Sequence, residues 1–240
     1  MSEYNDNNQR YNNGYTERQP YINRKKIIVT YAVIALNLLI YAVMTIVGRI
    51  KDWPQGVQLW VFGAKINPLI EMGQYWRLIT CMFLHVGVVH LLCNCYAIFI
   101  YGPVVERIYG RIRFILIYFI SGIFGSLLSY ALSPAASAGA SGAIFGLIGC
   151  MFYLRQRNRE AFSKIFGVNL FIVLGLNLFL GFVQSGIDNY GHIGGFIGGF
   201  LTAHLVGLLG EDVSIKKRTF TAIVMLFFCT GCLAIRKILG

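Results

Sequence analysis

Long apolar stretches constrain this chain more than any other feature. A run of about 20 apolar residues is what an α-helix needs to cross ~30 Å of hydrocarbon, and several such runs follow one another here. The chain has 240 residues, of which 56% are hydrophobic and only 13% are charged, whereas soluble domains carry roughly a quarter charged residues. We therefore predict an all-α fold, a polytopic bundle of membrane helices.

We predict seven membrane-spanning helices. They are placed at about residues 27–48, 88–104, 114–132, 140–154, 165–184, 190–210 and 219–236. The fourth is short, which predicts that it stops before one face of the membrane. The segment between the first two is rich in aromatic residues and broken by Pro and Gly, a composition typical of the membrane interface.

The two ends of the chain differ from its middle. Residues 1–24 are rich in asparagine and poor in aliphatic side chains, so we expect a disordered cytoplasmic tail. The first apolar run lacks a small-residue cleavage site, and we interpret it as a retained helix rather than a signal peptide. Residues 25–214 are predicted to form a six-helix core, and residues 215–240 a seventh helix with a short C-terminus.

The basic residues indicate a topology. The net charge of +11 is spread between apolar runs without a continuous basic face, so we expect no nucleic-acid partner. With the N-terminus in the cytoplasm, 15 of the 21 Lys and Arg residues fall in cytoplasmic segments. Cytoplasmic loops of membrane proteins carry this excess, which predicts a cytoplasmic N-terminus and an external C-terminus.

The six cysteines lie in or beside apolar segments, so a secreted disulfide framework is not expected. Cys229 and Cys232 have CxxC spacing, but no second pair completes a zinc site. We predict neither a metal nor a cofactor.

Polar residues within membrane helices are costly and therefore indicate function. Ser141 follows a loop of small residues and is predicted to begin a helix, where free N–H groups can face a developing negative charge. The alternative is a helix-capping serine followed by small packing residues.

His192 borders a glycine stripe formed by Gly191, Gly195 and Gly199. Glycines four residues apart let another helix approach closely. If that helix begins with Ser141, the histidine comes within reach of the serine oxygen. The alternative is a histidine bonded to a carbonyl group in the bundle core.

His90 and Asn94 are four residues apart and share one helix face. Both can donate hydrogen bonds, which is what stabilising an oxyanion requires. Hydrogen bonding between helices is the alternative for this pair.

Taken together, these residues resemble the rhomboid proteases. The matching motifs run in the family's order over roughly residues 62–210: Trp76-Arg77, His85 with His90-xxx-Asn94, Gly102-xxx-Glu106-xxx-Gly110, Gly139-Ala140-Ser141-Gly142, and His192-xx-Gly195-xxx-Gly199.

The resemblance implies that Ser141 is a nucleophile and His192 its general base, without an acidic third member. It further implies an oxyanion hole of His90, Asn94 and the Ser141 N–H, with His85 nearby. Phe145 departs from the family, whose best-known members carry a tyrosine there that stacks on the histidine. Glu106 and Trp76-Arg77 are expected to be structural.

The resemblance implies an integral membrane protease for single-span substrates, and we expect a bacterial plasma-membrane protein. Phe179, Phe182 and Val183 are a candidate lateral gate. Two other functions are weighed against this one: a catalytically inactive relative that binds membrane clients, and a transporter with a histidine proton relay. The scarcity of carboxylates within the predicted spans argues against the transporter.

Overall fold

The computed structural model of the protein describes residues 27–183 and 186–239. The predicted tail, residues 1–24, lies outside the described residues. The helices in order are α1 (Val29–Ile50), α2 (Gln55–Phe62), α3 (Asn67–Glu71), α4 (Arg77–Thr80), α5 (Gly87–Tyr109), α6 (Arg111–Leu132), α7 (Ser141–Arg157), α8 (Arg159–Ile165), α9 (Asn169–Val183), α10 (Asn189–Val206) and α11 (Ile215–Leu239).

The all-α prediction is confirmed, since the described residues contain helices, loops and a single isolated β-bridge but no strand. A long helix lies in each of the seven predicted ranges. By length and composition, α1, α5, α6 and α11 can each cross a membrane, and α8 with α9, bent by 70°, passes the same test as a pair. The described residues thus hold four such spans, or up to five, and the number seven stays a prediction.

The second predicted helix was placed too short. α5 continues through Pro103 and includes Glu106, whose carboxylate accepts hydrogen bonds from the N–H groups of Ile28, Val29 and Thr30 at 3.0, 3.1 and 2.8 Å. N–H groups at a helix start have no partner within the helix. Glu106 therefore caps α1 and joins it to α5.

Glycines bring α7 and α10 together at the centre of the bundle. A Cβ atom on Gly195 would overlap the carbonyl oxygen of Gly142, and one on Gly199 would overlap that of Gly146. The two backbones are thus in direct contact, as expected where small residues recur on membrane helices. The helix that packs against the glycine stripe of α10 is therefore α7, which begins with Ser141.

The predicted interfacial segment folds into the short helices α2, α3 and α4. Arg77, the first residue of α4, ties that helix to α2, because its Nη1 donates to the carbonyl oxygens of Trp60 and Ala64 at 2.9 and 3.1 Å. Its guanidinium also lies 4.7 Å from the centre of the Trp76 ring. These contacts are within the segment and account for a structural role of the Trp76-Arg77 pair.

Candidate active site

Ser141 is the first residue of α7. The residue at the capping position is Ala140, whose side chain forms no capping hydrogen bond, so the interpretation of Ser141 as a capping residue is wrong. Within the described part of the chain, the Ser141 hydroxyl forms no hydrogen bond. The side chain stays partly exposed and lies beside the unpaired N–H groups of the first turn.

Two backbone contacts hold the loop that precedes Ser141. Lys65 and Ser137 exchange a pair of backbone hydrogen bonds of 2.8 and 3.0 Å, and the Gly139 N–H donates to the Cys81 carbonyl at 2.9 Å. The interfacial segment and the start of α7 are thereby fixed to each other.

The Lys65 side chain is fully buried beneath this loop. Its ammonium donates to the carbonyl oxygens of Ser129 and Ser133 at 3.3 and 3.0 Å, at the C-terminal end of α6. Burial lowers the pKa of Lys65 from 10.5 to about 8. The sequence analysis did not identify Lys65 as a site residue. It is the only ionisable residue between positions 53 and 70, and this isolation in an apolar segment could have identified it.

His192 lies on α10 against the face of α7 that begins with Ser141. Its imidazole is stacked on the Phe145 ring, with ring centroids 4.2 Å apart and an interplanar angle of 7°. Phe145 follows Ser141 by four residues, so both lie on one helix face, about 6 Å apart along the helix axis. The imidazole is only 8% exposed, and its Nδ1 has no hydrogen-bond partner among the described residues.

Asp188 is the acid nearest to His192 in sequence, but its carboxylate is engaged elsewhere. It accepts a hydrogen bond from the Gly191 N–H at 2.9 Å, which caps α10. It also accepts one from the Ser129 hydroxyl at 2.5 Å. Only the Asp188 main-chain carbonyl bonds to His192, through the backbone N–H.

His90 reaches the same region from α5. Its Nδ1 accepts a hydrogen bond from the Val86 N–H at 3.3 Å, so in the neutral ring the proton lies on Nε2. A Cβ atom on Gly139 would lie 2.9 Å from His90 Nε2 and 3.8 Å from the Ser141 oxygen. The missing side chain of Gly139 thus leaves a space that both atoms border.

Asn94 and His85 lie beside His90. The Asn94 amide donates to the His90 carbonyl at 2.9 Å, and its oxygen is buried without a partner among the described residues. His85 is fully buried with its ring edge-on to His90, 5.2 Å between centroids. His204 lies apart from them and bonds to Gln156. In residues 27–183 and 186–239, no three His, Cys, Asp or Glu side chains form a group that would hold a metal ion.

Comparison with known proteins adds to this geometry. The family model described as "Rhomboid domain" matches residues 72–209. The chain is 43% identical to Rhomboid protease GluP of Bacillus subtilis (strain 168) over 204 residues, which are 85% of this chain and 39% of that protein. It is 34% identical to YdcA of the same organism over 188 residues, covering 76% of this chain and 92% of YdcA.

A plant relative is also similar. RHOMBOID-like protein 7 of Arabidopsis thaliana is 42% identical over 141 residues, which are 58% of this chain and 45% of that protein. The chain therefore spans less than half the length of this relative and of GluP.

Proposed function

The chain belongs to the rhomboid family, and from that premise we propose that it is an intramembrane serine protease that cleaves transmembrane helices of single-span membrane proteins. The observation that carries the proposal is the stacking of His192 on Phe145. It brings the imidazole to the helix face that begins with Ser141, whose hydroxyl has no structural partner among the described residues.

Catalysis begins when a substrate helix enters from the bilayer and unwinds locally, because its hydrogen bonds otherwise shield the peptide bond. The Ser141 oxygen attacks the carbonyl carbon while His192 takes the hydroxyl proton. His192 then gives this proton to the leaving amine, and the peptide C–N bond breaks. Water hydrolyses the resulting acyl-enzyme by the same proton transfers, which restores Ser141.

The negative oxygen formed during attack needs hydrogen-bond donors. The geometry supports His90, whose Nε2–H borders the space left by Gly139, and the N–H of Ser141 itself. Asn94 uses one amide hydrogen on the His90 carbonyl and has a second one to donate. His85, packed edge-on behind His90, supports the orientation of that ring.

Packing, and not a carboxylate, orients the imidazole of His192. Phe145 holds the ring of His192, while Gly195 and Gly199 allow α10 to approach α7. The carboxylate of Asp188 caps α10 and takes no part in proton transfer. The nucleophile and the base thus act as a dyad without a third member.

We further propose that residues 25–214 form a catalytic core of six spans, with the N-terminus in the cytoplasm of a bacterial cell and residues 215–240 as a seventh span. α9 is the proposed lateral gate, since Phe179 and Val183 are 62% and 68% exposed. The side chain of Phe182 lies outside the described residues. Cysteine-accessibility mapping of single-cysteine variants tests the orientation, with residues 155–164 expected inside and 185–189 outside.

A fluorophosphonate probe, which reacts with activated serines, distinguishes a protease from an inactive client-binding relative. The wild-type protein is expected to become labelled, and Ser141→Ala is not. Ser137→Ala is the matched control, because Ser137 borders the same small cavity as Ser141. Labelling that persists in Ser141→Ala would refute the nucleophile, and an unlabelled wild type that still binds membrane proteins would favour the client-binding function.

A further inference from the structure

A second cavity lies at the end of the bundle opposite Ser141. It has a volume of about 470 Å³ and is lined by α7, α10 and α11. Pockets of a few hundred Å³ are the size that holds small molecules. Because Ser141 begins α7 and the cavity lies near the end of that helix, it is distinct from the candidate active site.

The cavity exists because α11 contacts the core over only part of its length. Phe228 of α11 is stacked on Phe124 of α6, with ring centroids 4.8 Å apart. Lys217, Phe220 and Val224 lie earlier on α11 and line the cavity. Their spacing of three and four residues places them on one face, so α11 leaves a gap here that the core does not fill.

The wall of the cavity is divided into an apolar and a charged part. Phe200 and Leu201 of α10 and Phe220 and Val224 of α11 line the apolar part. Val224 lies about 10 Å deeper along α11 than Lys217, given a rise of about 1.5 Å per residue. The cavity therefore runs from a charged helix end toward the apolar middle of the membrane.

The charged rim carries an excess of positive charge. The Arg157 guanidinium is paired with Glu211 at 2.7 Å, and the Tyr153 hydroxyl donates to the same carboxylate at 2.9 Å. Lys217 is exposed and forms no hydrogen bond or ion pair with any residue that the structure describes. The paired Arg157 still has guanidinium hydrogens to donate, since Nε supplies only one of five.

We propose that this cavity binds one anionic phospholipid of the surrounding bilayer, with its phosphate at Lys217 and Arg157 and one acyl chain against Phe220 and Val224. Basic pockets between membrane helices attract anionic headgroups. An acyl chain fits the apolar part, which inorganic phosphate would leave empty. The lipid would then join α11 to α7 and α10.

The test uses the purified, delipidated full chain in detergent, titrated with palmitoyl-oleoyl phosphatidylglycerol and followed by native mass spectrometry. We expect one bound molecule, and none of the neutral phosphatidylcholine at the same concentration. Lys217→Glu should weaken binding by roughly tenfold or more, since it reverses a charge at the headgroup. Lys216→Glu is the matched control, because Lys216 neighbours Lys217 without lining the cavity, and its affinity should change by less than about twofold.

The apolar half is tested separately. Val224→Trp fills the cavity and should weaken binding by roughly tenfold, whereas Leu226→Trp, on the exposed surface of the same helix, should not. The Tm of each variant without lipid verifies the fold.

Two results would overturn the site in favour of diffuse charge attraction. One is an equal loss of lipid affinity in Lys216→Glu and Lys217→Glu, and the other is unchanged binding in Val224→Trp. Displacement of the lipid by millimolar inorganic phosphate would also overturn the proposal, because it would show that the anion alone is recognised.

Discussion

The imidazole of His192 lies parallel to the phenyl ring of Phe145, with 4.2 Å between their centroids. Among the residues that the structure describes, no carboxylate bonds to this imidazole, and the carboxylate of Asp188 is engaged by Gly191 and Ser129. The direction of the ring therefore depends on packing between α7 and α10. A hydroxyl group on the stacking partner is not needed for such a contact.

Replacing Phe145 should impair turnover more than binding. Phe145→Leu keeps an apolar side chain but removes the flat surface under the imidazole, and a misplacement of about 1 Å costs roughly 100-fold in rate. We expect kcat to fall by about 10- to 100-fold with a small change in KM, while Phe145→Tyr stays near the wild type. Cleavage of a single-span reporter by purified variants measures this, and a wild-type kcat in Phe145→Leu would remove Phe145 from the proposed machinery.

Asn94→Ala should lower kcat by about two to three orders of magnitude with little change in KM, because the lost donor acts only on the transition state. Asn94→Asp should be at least as damaging, since a carboxylate repels the developing oxyanion. The measurement is kcat together with Tm on the same sample.

Asn37→Ala is the matched control for Asn94. Asn37 is also a buried asparagine whose amide donates to the carbonyl four residues earlier, at 2.9 Å. Both alanine variants should lose comparable stability, up to about 1–2 kcal/mol, but only Asn94→Ala should lose turnover. A destabilised Asn94→Ala that retains its kcat contradicts the oxyanion role.

Gly195→Ala should separate α7 from α10. The added methyl group would overlap the Gly142 carbonyl oxygen, and backbone cannot move aside as a flexible side chain can. We expect a loss of about 1–3 kcal/mol in stability and loss of reporter cleavage. Gly231→Ala is the control, because nothing lies within 4 Å of its added carbon and alanine favours a helix by up to about 1 kcal/mol. Equal behaviour of the two variants would argue against close packing at Gly195.

Lys65 should make stability depend on pH. Burial lowers its pKa in the folded state to about 8 from 10.5, so between these values the unfolded chain binds more protons and stability rises with pH. The stability that comes from a neutral Lys65 is therefore fully present above pH 10.5, its pKa in the unfolded chain, and is lost as the pH falls to about 8. Thermal unfolding from pH 7 to 10.5 should show this rise in the wild type but not in Lys65→Met. Parallel pH profiles of the two proteins would contradict a buried, titrating Lys65.

The sequence allowed the helical class and the approximate positions of the long helices to be predicted. An apolar run and its length can be seen from neighbouring residues alone. A run of about 20 residues forms a membrane-spanning helix wherever it occurs in the chain. The predicted end of the second span, at about residue 104, is five residues short of the end of α5 at Tyr109. The partner of Glu106, the start of α1, is more than 70 residues away, and no local pattern reveals it.

The candidate site residues were also predicted from the sequence, partly through the spacing of glycines and partly through a family resemblance. What only the tertiary structure decided is how they meet. Lys65 pairs with Ser137 across 72 positions of the chain, and His192 stacks on Phe145 across 47. Such contacts depend on how whole helices pack against one another. The spacing of residues along one helix does not determine the distance and angle between two helices, which are set by close packing of their side chains.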